Sequence, residues 1–231
     1  MENNQKIYDG WELEYFDLSK NFRKYQFSII NKFIKGTVAE IGPGNGVNIL
    51  NYLDNCNSLD LFELNKDLFN NLNKNFGSLK KINIFNEIFD GDIEKYDSIL
   101  YLDVLEHIQN DEKEILKALK LLKKNGNLII NVPAFKFLYS DFDSDVGHYR
   151  RYSKKDILRM ADKFKLKIST IKYYDSIGFA LSLLSKIFSS NYRKNFQTKI
   201  KFWDSLIIFS KIIDLITFNL VGKSLFIVIK K

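Results

Sequence analysis

Val38-Ala39-Glu40-Ile41-Gly42-Pro43-Gly44-Asn45-Gly46 is the stretch on which the reading of this chain turns. Thr37 to Ile41 is a short apolar run that reads as a strand, and it enters a turn with glycine at every second position. Glycine is needed where backbone must pass close to a ligand with no Cβ between them. About Val47 to Leu53 reads as a helix, whose free N–H groups and positive dipole end would face whatever occupies the turn and favour a carboxylate or phosphate there. An isolated Gly-x-Gly-x-Gly is as readily structural as functional. Its position between strand and helix points to a nucleotide-type site.

Outward from that turn, short apolar runs alternate with helical patterns, the signature of a parallel sheet covered by helices. Upstream, residues 18 to 35 read as a helix with Phe22, Tyr25, Ile29, Ile30 and Phe33 on one face. Downstream, Leu59 to Glu63 reads as a second strand, Lys66 to Phe76 as a helix and Ile82 to Phe85 as a third strand. Tyr96 to Leu102 is a fourth, nearly all apolar as a buried parallel strand should be. Asp111 can cap the next helix with Glu114 completing a capping box, and Gly126 can end it. Asn127 to Val132 is a fifth strand, stopped by Pro133. Ser153 with Asp156 caps a helix to about Phe164, Leu166 to Tyr173 alternates as a sixth strand, and Ser224 to Ile229 is a seventh. Residues 134 to 152 have no clean period and read as a functional loop. Two helices are expected within 177 to 221.

The whole chain sets the bounds. Its 231 residues are 45% hydrophobic and 27% charged, ordinary for a globular protein. No composition shift marks a boundary, so one domain over residues 1–231 is expected, with insertions at about 134–152 and 177–221. Cys56 is the only cysteine, which excludes an intrachain disulfide and suits buried packing. The N-terminal MENNQKIYDGWELEYF has no apolar signal core, so a cytoplasmic protein is expected. The net charge of +7 comes from lysines spread along the chain, which argues against a nucleic-acid face. The exception is a basic run from Tyr192-Arg193-Lys194 to Lys199-Ile200-Lys201.

Glu63 ends the second strand 21 residues after Gly42, where an acidic side chain can accept hydrogen bonds from both hydroxyls of a ribose. With Glu-x-Gly-x-Gly-x-Gly at residues 40–46, Leu-Phe-Glu at 61–63, Tyr-Asp-Ser-Ile-Leu-Tyr-Leu-Asp-Val-Leu-Glu-His-Ile at 96–108 and Asn-Gly-Asn-Leu-Ile-Ile-Asn-Val-Pro at 125–133, the chain resembles class I S-adenosylmethionine (SAM)-dependent methyltransferases, over about 100 residues and in order. The resemblance implies an α/β fold with a Rossmann-like seven-stranded, mostly parallel sheet, an antiparallel last strand, and helices on both faces. It implies that Glu40, Gly42, Pro43, Gly44 and Gly46 hold the methionine portion of SAM. Glu63 would bind the ribose, Leu64 would lie beside the adenine, and Asp103 and Val104 would line the methionine end. Families often place an Asp after the third strand; here Asn86-Glu87-Ile88-Phe89 departs from that pattern, and Asn86 is its counterpart. A nicotinamide dehydrogenase would carry Gly-x-Gly-x-x-Gly and has no place for the segment after the fourth strand.

Methyl transfer from a sulfonium is an in-line displacement, and a hydroxyl acceptor needs a base or a metal. The two histidines, His107 and His148, both fall in segments expected to line the site. His148 reads as general base, with Asp103 and Tyr149 as further catalytic candidates. Tyr139, His107, His148 and Arg150 are candidates for holding the acceptor, a paired arginine suiting a phosphate or carboxylate. The alternative for the arginines is structural pairing of Arg150 and Arg151 with Asp141, Asp143 or Asp145. The Gly-His-Tyr-Arg-Arg-Tyr-Ser run at 147–153 resembles bacterial methyltransferases tied to glycan or glycolipid building. Asp103, Glu106 and His107 with His148 are similar to the metal clusters of some O-methyltransferases, including enzymes of small-RNA methylation. The same acidic segment also occurs where Glu106 and His107 only organise a turn, and no metal is expected.

Residues 203 to 221 are strongly apolar, but Asp204, Lys211 and Asp214 interrupt them and argue against a membrane span. The segment reads as core or as a lid over the acceptor. Its alternatives are a homodimer contact or, through residues 193–221, a helix lying on an anionic membrane. The sequence therefore points to SAM-dependent methylation of a small-molecule or glycan acceptor. An RNA methyltransferase and a non-catalytic SAM-binding subunit are the competing readings.

Overall fold

A computed structural model describes residues 10–187 and 193–231; Tyr192, which opens the basic run, lies outside them. Seven strands form one sheet: β1 (Gly36–Ile41), β2 (Cys56–Phe62), β3 (Ile82–Phe85), β4 (Tyr96–Leu102), β5 (Leu122–Pro133), β6 (Lys167–Tyr174) and β7 (Ser224–Lys230), in the order β3-β2-β1-β4-β5-β7-β6. Pairing is parallel from β3 through β5, and β7 is antiparallel to both β5 and β6. The expected fold class holds. The chain leaves β1 toward β2 on one side and later returns to β4 on the other, so the strand order reverses between β1 and β4. Ligands in open α/β sheets bind at the carboxyl ends of strands at such a point.

Alternate strand residues serve opposite layers. Val38, Leu59, Leu61, Leu100, Ile129 and Phe226 join one core; Ala39, Ile99, Tyr101, Leu128, Ile130 and Ile227 join the other. The first is covered by α2 (Lys20–Ile30), α3 (Lys66–Phe76), α8 (Phe196–Ser205) and the start of α9 (Ile207–Ile216), the second by α4 (Asp111–Leu121) and α6 (Lys154–Phe164). A short α1 (Leu13–Phe16), α5 (Asp141–Asp145) and α7 (Ser176–Ile187) complete the helices among the described residues. Ser153 and Asp156 form the expected capping box of α6. Cys56 is buried, as expected.

Several local expectations are corrected. The helix expected over 18–35 is α2 followed by a 3-10 turn at Asn31–Phe33. No α-helix follows the glycine turn. Residues 47–55 form two 3-10 turns, Ile49–Asn51 and Leu53–Asn55, because Asn48, Asn51, Asp54 and Asn55 are weak helix formers that bond to nearby backbone instead. Asn51 Nδ2, for one, donates to the Asn48 carbonyl at 3.2 Å. The cap of α4 is Asn110, whose side chain accepts from Lys113 N–H, so Asp111 is released for other partners. Gly126 does not end that helix. It lies in β5, past an irregularity between the Tyr96–Leu122 and Ser98–Asn127 pairs, where Asn125 takes a left-handed φ of 65°. Among the described residues three helices, not two, lie between β6 and β7.

Candidate active site

The glycine turn closes the end of β1 with backbone that only glycine takes easily. Gly42, Gly44 and Gly46 have φ of 62°, 58° and 75°. A Cβ on Gly46 would stand 2.6 Å from Leu72 and 2.7 Å from Phe76 of α3, and one on Gly42 would stand 2.9 Å from Val104. The turn is therefore tight on its protein side. Gly42 N–H donates to the Phe62 carbonyl at 2.9 Å, tying the end of β1 to β2. Pro43 is buried within the turn. Without a helix behind it, the turn offers local N–H groups, not a macrodipole.

Glu63 faces this turn. Its carboxylate accepts the Gly44 N–H at 3.1 Å and the Asn65 N–H at 2.9 Å, which leaves lone pairs on both oxygens for further donors. Burial raises its pKa, against those backbone bonds. Glu40 is buried on β1, holds a hydrogen bond from the Tyr52 hydroxyl, and is pushed up to about 7, chiefly by burial and further by the negative Glu63. Asn86 spans the loop after β2, its amide donating to the carbonyls of Glu63 at 2.8 Å and Leu64 at 3.1 Å. Leu64 itself is largely exposed.

At the end of β4, Asp103 takes a left-handed φ of 59°, a conformation that costs a non-glycine residue about 1–3 kcal/mol and clusters at functional sites. Its N–H donates to the Asn131 carbonyl at 2.8 Å, and its carboxylate accepts the Asn131 amide at 2.9 Å. Asp103 is exposed as a residue, yet protein surrounds its carboxyl closely enough to desolvate it. That desolvation raises it to about 6, opposed first by the Asn131 bond and then by the electrostatic influence of His148, Lys223 and Arg23. Three acids with raised pKa values thus stand at the ends of β1, β2 and β4, an arrangement that favours a positively charged ligand.

The 134–152 segment supplies the opposite wall. Ser140 caps α5 by a capping box with Asp143, and this fixes Asp143 in a fully buried position. Asp143 Oδ1 accepts from His148 Nδ1 and Arg151 Nε, each at 2.8 Å. Those bonds outweigh burial and hold its pKa down at about 2. His148 is thereby gripped through Nδ1. Its Nε2 lies 3.9 Å from Glu106 Oε1, too far for a hydrogen bond. Tyr139 donates to the His148 carbonyl at 2.7 Å. His107 stands edge-to-face to His148 with ring centroids 4.7 Å apart, and burial pushes its pKa down to about 3, against a hydrogen bond to the Gly147 backbone. Glu106 is buried, its Oε2 has no hydrogen-bond partner among the described residues, and burial raises its pKa well above the usual carboxylate range.

The ligand atoms of Glu106, His107 and His148 lie within 4.8 Å of one another. Two neutral imidazole nitrogens and a carboxylate suit a divalent transition metal, and Asp103 does not belong to the group. Arg150 is engaged by other partners, and Tyr149 is exposed beside it, its N–H donating to the Glu106 carbonyl at 2.8 Å. Arg150 pairs with Asp111 at 2.7 Å, bonds the Gln109 carbonyl and lines a recess with Glu112, Arg159 and Lys163. Its guanidinium lies over the Tyr149 ring. The structural alternative is met by Arg151 with Asp143, while Arg150 finds an acid outside the three expected.

A family model for the methyltransferase domain matches residues 16–171, more than half of the chain. The chain belongs to the methyltransferase-domain family. That membership bears out the expected SAM-dependent methyltransferase class, and the solved structures agree on its fold. A SAM-dependent methyltransferase from Mesorhizobium loti superposes with a TM-score of 0.62 at 7% identity, over 90% of this chain and 96% of that one. Phosphoethanolamine N-methyltransferase 2 of Haemonchus contortus, in complex with SAM, superposes at 0.61 with 14% identity, over 90% of this chain and 52% of that one. The [4+2]-cyclase SpnF superposes at 0.60 with 12% identity, over 91% and 80% of the two chains. Among curated proteins none matches.

Asp143 and Asn131 bond to candidate-site side chains, and Arg23 and Lys223 bear on Asp103 through their charge; sequence reasoning passed over all four. Asp143 was visible only as a candidate partner for arginine; its five-residue spacing to His148 is the signal that marks it as the imidazole's holder. Arg23 lies in α2, far upstream of any motif, and nothing in the sequence ties it to Asp103.

Proposed function

We propose that the chain moves the methyl group of SAM to a hydroxyl or amine of a small-molecule or glycan acceptor, with His148 as general base. The observation that carries this is the Asp143–His148 pair beside Asp103. The imidazole is oriented by a fully buried carboxylate through Nδ1, and its Nε2 stands 3.9 Å from Glu106, with no hydrogen-bond partner among the described residues. Glu40, Glu63 and Asp103 supply negative charge where the cofactor's ammonium, ribose and sulfonium would lie. When SAM is bound, its sulfonium supplies the electrophilic methyl. Glu40, Glu63 and Asp103 would hold the donor, and His148 Nε2 would take the proton that the acceptor oxygen or nitrogen gives up as the methyl group passes to it and the S–CH₃ electron pair stays with sulfur. The chain's part is alignment, exclusion of water and proton removal.

Assay of methyl transfer to candidate glycan and small-molecule acceptors tests this. His148→Gln is expected to lower kcat by about 10²–10⁴ while the Kd for SAM stays unchanged. Unaltered kcat would remove His148 as base, and no calorimetric binding of SAM by folded protein would remove the reading as a whole. The Glu106, His107 and His148 group favours a second reading, methylation assisted by a divalent cation on an acceptor that includes RNA hydroxyls. Full activity after EDTA treatment would sink it.

A further inference from the structure

α9 is turned inside out. Among the residues it buries, Ser210 and Asp214 are polar, whereas Ile208, Phe209, Ile212, Leu215 and Ile216 are exposed. The buried polar groups are bonded. Asp214 accepts the Tyr25 hydroxyl at 2.7 Å and the Asp175 and Ser176 N–H groups at 2.7 and 3.0 Å. Ser210 Oγ donates to Asp175 at 2.9 Å and accepts the Ile177 N–H at 2.9 Å. Hydrogen bonds hold the helix to the body of the protein, and its apolar stripe is left outside. Ile208, Ile212, Leu215 and Ile216 share one face by helical spacing. The apolar surface continues through Phe218. Leu215, Ile216 and Phe218 are 78%, 68% and 84% exposed, far from the core or lid positions the sequence suggested.

The charge on this segment has one sign. Residues 193–221 contain two acids, Asp204 and Asp214, and both are buried. Asp204 accepts the N–H groups of Asn21 and Phe22 in the first turn of α2, at 3.2 and 2.8 Å. Lys201 and Lys211 are exposed. Every charge the segment shows outward is positive.

We propose that the outward face of α9, with Phe218, docks on an anionic lipid surface, the lysines meeting the headgroups. An apolar stripe flanked by lysine is the pattern of a helix lying in a membrane interface. At ten residues α9 is about 15 Å long, half of the roughly 30 Å hydrocarbon core. No helix among the described residues is long and apolar enough to cross a membrane. A second copy is the less favourable occupant, because pairing this face with itself brings lysines together with no outward acid to meet them. The inference goes beyond the methyl-transfer reading and does not depend on the acceptor.

Flotation of the full chain with vesicles tests it without reference to SAM. Vesicles of phosphatidylcholine mixed with phosphatidylglycerol are expected to carry the protein upward, with binding about tenfold weaker on phosphatidylcholine alone or in high salt. Leu215→Ser/Ile216→Ser/Phe218→Ser is expected to lower binding to the anionic vesicles at least about tenfold with the circular dichroism unchanged. Lys201→Glu/Lys211→Glu, which leaves the apolar stripe intact, is expected to abolish the preference for anionic lipid and serves alone should the triple variant misfold. Equal binding by wild type and both variants overturns the proposal. So does an absence of vesicle binding together with a concentration-dependent dimer that the triple variant dissolves, which would give the face to a second copy.

Discussion

On the proposed reading, Glu40 reports on the cofactor through its proton. Its pKa of about 7 in the folded chain lies above that of an unfolded glutamate, so its contribution to stability is complete below about pH 4.5 and is lost as the pH rises through 7, an amount on the order of 3 kcal/mol. A ligand ammonium placed against this carboxylate demands the ionised form. SAM binding near pH 6 is therefore expected to release protons, and affinity is expected to rise up to about tenfold per pH unit toward pH 7 and then level off. Calorimetry in buffers of different ionisation enthalpy measures this, and a proton count of zero at pH 6 contradicts it. Asp143 behaves oppositely: its depressed pKa adds stability that is present above about pH 4 and lost as the pH falls through 2. Asp143→Asn leaves the buried Arg151 guanidinium without its counter-charge and is expected to cost about 3–5 kcal/mol in denaturant unfolding, besides loosening His148. Cys56, pushed up to about 12 by burial, is expected to resist alkylation in the native state.

The elements show what sequence patterning can and cannot carry. α3, β3 and β4 fall where periodicity and apolar runs place them, because each buries a simple stripe or a whole strand. The residues after Gly46 do not, because the apolar positions Ile49 and Leu53 mimic a helical repeat while the intervening asparagines bond locally. α9 was misread for a related reason: spacing reveals that a helix has two faces but not which of them the protein covers. Tyr25, Asp175 and Ser176, which hold Asp214 inward, come from distant parts of the chain. The turn residues expected at the cofactor end are contiguous motifs that the sequence displays, whereas the charges of Arg23 and Lys223 come to bear on Asp103 only through tertiary folding. Gly46→Ala is expected to destabilise by about 1–3 kcal/mol, since its φ of 75° is unfavourable and its Cβ would press on Leu72 and Phe76; a thermal melt with no shift would refute the tight packing of this turn on α3.

At the scale of the whole molecule, the two core layers are joined by one sheet whose strands β1, β2 and β4 all end at the proposed cofactor cleft. A ligand that ties these ends together stabilises the sheet by binding the folded state alone. S-adenosylhomocysteine at 100 times its Kd is expected to add about 2.7 kcal/mol, or roughly 5–10 °C in the melting temperature of a chain of this length. Scanning fluorimetry that shows no rise would contradict the cleft's assignment.

Leu13 rests against Gly44, 3.2 Å from where a Cβ would stand. Asn45 of the same turn donates to Asp17 at 2.9 Å. Trp11, Tyr15 and Phe16 meet Phe196 of α8 edge-on or tilted, and α1 buries no side chain of its own. α1 therefore braces the glycine turn from outside and is itself braced by aromatic rings on its far side. On the proposed reading, a substitution in those rings, remote in sequence from every group that handles the methyl, would slacken the turn that cradles the donor.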